Sequence, residues 1–431
     1  MQSRAGKTQN AAADWSAWAS VPWSPVRRPE TGATAGTNSG ATPESADSPI
    51  GWLKSGVPYS PQGDGDGDAD ACALQTLDIW IPANNTTTTT NTPPNPAFLP
   101  PQTPTKTWLI YIHGGAWRDP AISSASFAPA ATNLLQRAAA TETATKTETA
   151  TKTETSTDTS PETETASGGG ASDGANSLAG LVSLNYRLSP HPSHPPASPA
   201  DAVARGVRHP QHVADVRAAL AFLGRVGVLG GGSGDGGAER EEEREGKGGK
   251  ANAKWVLAGH SCGATLAFQA VMHPVRWGLG EVGGEVGGEG WDKPAALVGF
   301  NGLYDLAGFI DAPPEGYAHL RDGYREFVEG AFGADERAWR GACPATTEGK
   351  WVGEWIGGGA GDEAKGEKMV VLVQSREDTL VPWEQLEAMR ARLGSEGQVG
   401  VKVMEATGNH DDVWREGGRM AEVLWNVLEE L

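Results

Sequence analysis

One block of sequence constrains the fold most strongly, because a strand pattern passes through a Gly-x-Ser-x-Gly string directly into a helix pattern. Residues 255–258 read WVLA, typical of a short buried strand, and residues 264–272 read ATLAFQAVM, which favours a helix. The string between them is Gly259, His260, Ser261, Cys262 and Gly263. So tight a turn strains its central residue, and flanking glycines relieve the crowding. We predict that Ser261 projects above the end of a strand; the alternative is a plain turn with a surface serine.

Strand and helix patterns alternate through the rest of the chain. Strands are predicted over residues 108–112, 181–186, 255–258, 295–300, 369–374 and 399–404, and helices over 209–223, 264–272 and 419–431. Continuous apolar strands that alternate with helices are typical of a parallel sheet covered on both faces. The sequence therefore predicts an α/β fold with a mostly parallel central sheet and helices on both faces.

Six low-complexity stretches interrupt these patterns and carry most of the formal net charge of −19. They span residues 62–70, 84–105, 141–177, 230–252, 278–290 and 353–368. Gly, Thr, Pro and charged residues dominate them, so they lack the apolar surface that would offset the entropy of ordering. The remaining length suits one large domain. We predict a partly disordered N-terminal segment over residues 1–60 and a single α/β domain over residues 71–431, which holds the last five stretches as inserts.

The charge balance, 54 Asp and Glu against 35 Lys and Arg, excludes several partners. Binding to nucleic acid or to an anionic membrane needs clustered basic side chains. The chain has no apolar run long enough for a membrane helix and no secretory signal pattern. Cys72, Cys262 and Cys343 are too few, and odd in number, for a disulfide framework. The sequence predicts a soluble cytoplasmic protein with neither nucleic-acid nor membrane partners.

A second glycine-containing loop follows the predicted strand 108–112. This HGG loop, residues 113–117, reads His113, Gly114, Gly115, Ala116 and Trp117. Acyl transfer places negative charge on a carbonyl oxygen, and backbone N–H groups can stabilise that charge. Glycines let the backbone come close to a substrate, and a loop of this type joins the N–H after a serine nucleophile in one class of α/β fold. We predict an oxyanion hole formed by the N–H groups of Gly114, Gly115 and Cys262; a simple Gly-rich turn is the alternative.

A serine nucleophile needs a base, and in this class of fold the base comes last in the chain. The histidines after Ser261 are His273, His319 and His410. Of these, His410 follows the last predicted strand and is our predicted base. Cys262 is the rival nucleophile, although a strand–turn–helix turn presents the third residue of the string.

The base in turn needs a carboxylate to orient it. Asp378 follows the predicted strand 369–374, and functional groups of α/β folds collect beyond the carboxyl ends of strands. Glu377 is the nearest rival, because one residue of register would exchange the two. Asp411 and Asp412 are further candidates, but a residue adjacent to His410 is poorly placed to orient its ring. We predict a triad of Ser261, Asp378 and His410.

Two His-x-x-His spacings raise a metal-binding alternative. The pairs are His191 with His194 and His209 with His212. On an extended, proline-rich segment such pairs are not expected to share a face, and no Cys or carboxylate cluster completes a zinc set. We predict structural roles for these histidines, with no metal and no organic cofactor.

Several strings resemble the arylformamidases, also called kynurenine formamidases, of the fungal α/β-hydrolase type. They are IHGGAWRDP, which carries the HGGxW motif of that family, LNYRLSPHPSHP, HPQHVADVRAALAFL, GHSCGATL, NGLYDL, SREDTLVP and GNHDDVW. The likeness is discontinuous but extends from about residue 108 to the end of the chain. Many esterases share the HGG element alone, whereas the combination is more specific. The long inserts near 141–177 and 230–252 depart from the family.

The resemblance implies the α/β-hydrolase fold and hydrolysis of N-formyl-L-kynurenine to L-kynurenine and formate, within tryptophan breakdown and de novo NAD synthesis. It implies a small-molecule substrate and no cofactor, and it leaves a homodimer open. Trp117 and Tyr304 are candidates for contact with the aromatic amine, or equally for the core. Two rival functions stay open: a general carboxylesterase with the same residues, and a non-catalytic binding protein of the same fold.

Overall fold

One nine-stranded sheet organises the chain. The computed structural model describes residues 15–29, 48–60, 74–86, 92–100, 103, 105–154, 178–229, 254–279, 291–357 and 368–431, with the backbone alone over 142–154. The strands are β1 (Ser24–Val26), β2 (Gly51–Pro58), β3 (Thr76–Pro82), β4 (Thr107–Ile112), β5 (Leu178–Leu184), β6 (Lys254–His260), β7 (Ala296–Phe300), β8 (Met369–Ser375) and β9 (Gly400–Ala406). All six strands predicted from the sequence are present.

The strand order is β1-β2-β3-β5-β4-β6-β7-β8-β9. The neighbours from β5 to β9 in this order pair in parallel, whereas β1, β2 and β3 are joined by antiparallel pairings and β3 pairs antiparallel with β5. In the sheet β5 lies between β3 and β4, because the connection that leaves β4 crosses over to the side of β3 before β5 begins. A mostly parallel sheet of this order, with a serine turn after its central strand, is the α/β-hydrolase fold predicted from the sequence.

Helices cover both faces of the sheet. They are α1 (Ala128–Glu154), α2 (Pro199–Ala204), α3 (Gln211–Arg225), α4 (Cys262–Val271), α5 (Leu306–Asp311), α6 (Arg321–Phe332), α7 (Glu336–Ala342), α8 (Val352–Ile356), α9 (Trp383–Glu396), α10 (Asp412–Glu416) and α11 (Gly418–Glu430). One apolar layer contains buried residues of α3, α4 and α9, and a second contains those of α1 and α11. Side chains on one face of β4 to β8 lie in the first layer and those on the other face lie in the second, as expected for a sheet covered on both faces.

Two strands of the sheet lie within residues 1–60, which the sequence predicts to precede the domain. A buried lysine helps to hold them. Lys54 of β2 is fully buried, and its Nζ donates to the carbonyl oxygens of Trp18 (2.8 Å), Val21 (2.5 Å) and Pro96 (2.6 Å). Three carbonyl acceptors compensate the ammonium for lost water. The sequence pattern missed β2 because this charged residue interrupts the apolar alternation.

Some of the stretches predicted to lack structure contain helical or buried residues. Helix α1 extends to Glu154, within the 141–177 stretch. Its buried beginning nucleates it, and the Ala, Glu and Lys between the threonines are good helix formers. Asn85, in the 84–105 stretch, is buried and donates to the carbonyls of Leu178 and Ala179. Trp355, in the 353–368 stretch, is buried in α8. The stretches 62–70 and 230–252, nearly all of 278–290, and Cys72 lie outside the described residues.

Among the described helices, none combines the length and the apolar character that a membrane crossing requires.

Candidate active site

Ser261 lies at the turn between β6 and α4. Its backbone has φ 54° and ψ −124°, an uncommon conformation for a residue with a side chain. A Cβ at Gly259 would lie 2.2 Å from the carbonyl oxygen of Gly263, and a Cβ at Gly263 would lie 2.2 Å from that of Ile112. Only glycine fits at either position, so the turn stays tight and Ser261 stands at the carboxyl end of the central strand.

The HGG loop packs directly against this turn. A Cβ at Gly114 would lie 3.1 Å from Cβ of Ser261, so the missing side chain lets the loop approach the serine. Gly115, Ala116 and Trp117 all have positive φ, at 98°, 49° and 60°. Two of these residues carry side chains that disfavour this conformation, so contacts elsewhere must hold the loop in place.

Asp378 and His410 meet beyond the ends of β8 and β9. Nδ1 of His410 lies 2.7 Å from Oδ2 of Asp378, and both side chains are buried. Oδ1 of Asp378 accepts the N–H groups of Leu380 and Val381, each at 2.8 Å, which fixes the carboxylate within the acid loop, residues 376–382. Because the carboxylate accepts, Nδ1 carries the proton and Nε2 of His410 holds the free lone pair.

The backbone of His410 is fixed by residues that the sequence did not single out. Its carbonyl oxygen accepts from Nε2 of His260 at 2.9 Å and from Nδ2 of Asn301 at 3.0 Å. Its N–H donates to Oδ1 of Asn409, which also accepts from the N–H and the hydroxyl of Thr379. These bonds join the histidine loop, residues 407–411, to the serine turn, to β7 and to the acid loop. The one available signal is position, since Asn301 directly follows a predicted strand.

The rival acids point to other partners. Glu377 is exposed, and its Oε2 accepts the N–H of Gly408 at 2.5 Å. Asp411 pairs with Arg415 at 3.0 Å, and Asp412 accepts the N–H of Asn409. Only Asp378, among the carboxylates weighed in the sequence, contacts the ring of His410.

Helix α6 and the turn before it contact both sides of the site. The hydroxyl of Tyr317 donates to the carbonyl of Asp378, and that of Tyr324 donates to the carbonyl of Leu380 at 2.7 Å. On the other side, Glu326 of α6 binds Arg118, which follows the HGG loop, through two hydrogen bonds of 2.8 and 3.1 Å. The helix therefore ties the acid loop to the HGG loop.

The two aromatic residues that the sequence offered for substrate contact are both core residues. Trp117 is fully buried and packs edge-on against Phe332, with ring centroids 4.9 Å apart. Tyr304 is buried against Phe268, at 5.7 Å. Their burial favours the structural alternative.

The histidine pairs behave differently from each other. His191 and His194 were expected to point apart, but a turn between them brings their Nδ1 atoms to 3.2 Å. His212 is instead buried beside the hydroxyl of Ser189, and His209 packs between Trp277 and Phe332.

One group of metal-ligand type exists among the described residues. Ligand atoms of His260, His410 and Asp411 lie within 4.8 Å of one another. His410 is engaged through Nδ1 with Asp378, Nε2 of His260 is engaged by a carbonyl, and Asp411 is paired with Arg415. Nδ1 of His410, Nε2 of His260 and the Asp411 carboxylate are thus engaged within the protein, and the hydrogen bonds of the two histidines fix the two loops.

Three buried histidines near the site have pKa values far below the ordinary range. Burial lowers the pKa of His113 to about 4 and that of His212 to about 3, and it holds the pKa of His260 well below its usual value. All three are neutral in the folded chain near neutral pH, which leaves the ring of His260 a fixed hydrogen-bond donor to His410.

This neutrality predicts a loss of stability at mildly acidic pH. As the pH falls through about 6.5, histidines of the unfolded chain take up protons while the three buried ones do not. Burial also lowers the pKa of His209 to about 4, so this histidine contributes in the same way. The unfolded state then binds more protons, so the free energy of unfolding falls with pH, by about 1 kcal/mol per histidine and roughly 4–5 kcal/mol for the four between about pH 7.5 and 5.5. Urea denaturation at the two pH values measures this loss. His212→Gln should remove about a quarter of the loss, and a free energy that does not change with pH would contradict the assignment.

Comparison with known proteins gives relatives at the level of sequence. No protein-family model matches the chain. The chain is 29% identical over 367 residues to a kynurenine formamidase-like hydrolase of Fusarium equiseti, covering 83% of this chain and 91% of that protein. It is 28% identical over 316 residues to a kynurenine formamidase of Aspergillus versicolor, covering 72% and 84%.

Solved structures with a related arrangement are more distant. A truncated carbohydrate esterase from gut microbiota matches 88% of this chain and 96% of its own at a TM-score of 0.46 and 14% identity. A propionate-bound esterase of Thermogutta terrifontis matches 82% and 89% at a TM-score of 0.42 and 14% identity. Strand order and the serine turn define the fold independently of these neighbours. The chain is a hydrolase of α/β-hydrolase fold that resembles kynurenine formamidase-like enzymes over most of its sequence.

Proposed function

We propose that the chain hydrolyses the formamide bond of N-formyl-L-kynurenine, yielding L-kynurenine and formate, with Ser261, His410 and Asp378 as the catalytic residues. The observation that carries the proposal is the 2.7 Å contact between His410 and Asp378 beyond β8 and β9, at the same edge of the sheet as the serine turn that follows β6. The similarity to two formamidase-type proteins supports the choice of substrate. The reaction then belongs to tryptophan breakdown towards NAD, in the cytoplasm.

In the first half of the reaction, the hydroxyl oxygen of Ser261 attacks the formyl carbon while Nε2 of His410 takes the serine proton. The carbonyl oxygen becomes an oxyanion, for which the N–H groups of Gly114, Gly115 and Cys262 are the proposed donors. Asp378 holds the ring and stabilises the imidazolium through Nδ1. His410 then gives the proton to the amine nitrogen, the C–N bond breaks, and L-kynurenine leaves.

In the second half, a water molecule attacks the formyl ester on Ser261. His410 takes one proton from the water and returns it to the serine oxygen as the C–O bond breaks. Formic acid leaves with the water oxygen and the second water proton, which it releases to solvent as it ionises to formate, and the enzyme regains its starting protonation. The residues supply the base, the acid and the anion donors, so the proposed steps need no metal or organic cofactor.

The close packing around the serine supports a small acyl group. Ser261 is only 5% exposed, and the HGG loop lies against its Cβ. A formyl carbon carries only hydrogen besides the oxygen and the leaving nitrogen, so it needs less room than a longer acyl chain.

The test is a direct comparison of substrates on the purified full chain. N-formyl-L-kynurenine should give L-kynurenine and formate in equal amounts, with a higher kcat/KM than p-nitrophenyl acetate or butyrate. Good ester turnover with no formamide hydrolysis would overturn the substrate assignment in favour of a general carboxylesterase. A chain that hydrolyses neither and is not labelled on Ser261 by a fluorophosphonate would be a non-catalytic binding protein.

A further inference from the structure

The N–H groups of Gly114 and Gly115 are the starting point. Gly114 is buried, and within the part of the chain that the structure describes neither N–H donates to any group. Buried backbone N–H groups are rarely left without an acceptor, and an anion site is one of the few settings where they are. Something must nevertheless hold these peptides in one orientation, because glycines adopt many.

Tyr186 supplies that restraint from behind the loop. It follows β5 and is fully buried, and its hydroxyl lies 3.1 Å from the carbonyl oxygen of His113 and 3.3 Å from that of Gly114. Its ring stacks on the ring of His113, with centroids 4.5 Å apart and planes 15° from parallel. A trans peptide carries its C=O and N–H on opposite sides. Drawing both carbonyls towards Tyr186 therefore turns the N–H groups of Gly114 and Gly115 away from it.

Cys262 fixes the other end of the same loop. Its thiol is buried directly after Ser261, and Sγ accepts the N–H of Trp117 at 3.3 Å. Sγ also lies 3.5 Å from the hydroxyl of Tyr186, which links the two restraints. Burial raises the pKa of the Cys262 thiol to about 11, so the sulfur stays neutral. The thiol thus stabilises the positive φ of Trp117 without placing a negative charge beside the proposed oxyanion.

We propose that the hydroxyl of Tyr186 and the thiol of Cys262 are positioning residues, which hold the HGG loop so that the N–H groups of Gly114 and Gly115 face the oxyanion formed at Ser261. The proposal rests on the Ser261 mechanism above, but not on the identity of the substrate. It gives the side chain of Cys262 a role separate from that of its backbone N–H.

The chain provides a matched control in its other described cysteine. Cys343 is equally buried, and its Sγ accepts the N–H of Leu306 at 3.4 Å, away from the HGG loop. Cys343→Ala therefore removes the same kind of bond from the core. A difference in kcat between Cys262→Ala and Cys343→Ala is therefore due to the position of the Cys262 thiol beside the HGG loop, and not to the general cost of removing a buried thiol.

The experiment compares the wild type with Cys262→Ala, Tyr186→Phe and Cys343→Ala. For each protein we measure kcat, KM and the affinity for an aryl trifluoromethyl ketone, which forms a tetrahedral adduct on serine. Loss of a whole oxyanion donor costs roughly 10²–10³-fold in kcat, so a loosened hole should cost about 10–100-fold. We expect this loss in the first two variants with little change in KM, and a matching loss of affinity for the ketone. Cys343→Ala should keep the wild-type values, and Cys262→Ser, which retains an acceptor, should recover part of the loss.

Thermal unfolding of each variant separates positioning from loss of structure. Wild-type kcat in both Cys262→Ala and Tyr186→Phe, or a fall in kcat without loss of affinity for the ketone, would overturn the proposal. If one variant fails to fold, the other still decides. Each variant is also assayed with p-nitrophenyl acetate. If the wild type cleaves only this ester, the formamide substrate is refuted, and the ester turnover of the variants still tests the positioning role. A wild type that cleaves neither and does not bind the ketone overturns both proposals.

Discussion

Ser261→Ala is expected to lower the turnover of N-formyl-L-kynurenine by roughly four to six orders of magnitude. The variant removes the only protein atom proposed to bond to the formyl carbon. It leaves the HGG loop and the contact between His410 and Asp378 intact. The residual rate should come from water attack assisted by the oxyanion donors. KM should change little, because the substrate still binds the same surroundings.

Purified wild type and variant are compared in steady-state assays and by labelling with a fluorophosphonate. Ser395→Ala is the control, since Ser395 is exposed and its hydroxyl donates to the carbonyl of Arg392 in α9. It should retain wild-type turnover. If Ser261→Ala kept its activity while Cys262→Ala lost it, the nucleophile would be the neighbouring thiol.

The parallel half of the sheet was predictable because its strands are buried on both faces and read as continuous apolar runs, such as MVVLVQ in β8. The antiparallel edge was not. Strand β2 contains Gly56 at a register shift and the buried Lys54, so neither alternation nor an apolar run marks it. The ammonium is balanced by carbonyls of residues 18, 21 and 96, which are distant in sequence. Contacts between residues so far apart in the sequence leave no local sequence pattern.

The candidate site likewise has a part that the sequence pattern predicts and a part that it does not. The positions of Ser261, Asp378 and His410 at strand ends could be predicted, because each follows a strand whose end the sequence marks; their catalytic roles stay predictions. The residues that orient them could not be predicted, because their roles depend on three-dimensional contacts. His260 and Asn301 act on the carbonyl of His410, 150 and 109 residues away in sequence. His191 and His194 were predicted to point apart, and the error came from treating a proline-rich segment as extended where a turn closes it.

Asp378→Asn is expected to lower kcat by roughly 10²–10⁴-fold. The carboxylate accepts from Nδ1 of His410 and thereby leaves the lone pair on Nε2, where a base must hold it. An asparagine can turn its amide nitrogen towards Nδ1, which moves the ring proton to Nε2 and removes the base. Burial sharpens the effect, because no water replaces the lost charge beside Asp378, which is 1% exposed. Measurement of kcat from about pH 6 to 9 gives the size of the loss.

Glu377→Gln is the matched control, because it makes the same change one residue earlier in the acid loop. The Glu377 carboxylate is exposed and binds the N–H of Gly408, and a glutamine oxygen can accept that bond equally well. We expect turnover within a few-fold of wild type. A crippled Glu377→Gln beside an active Asp378→Asn would transfer the role of the acid to Glu377. The acid loop would then have to shift by one residue in solution, which would break the bonds from Leu380 and Val381 to Asp378.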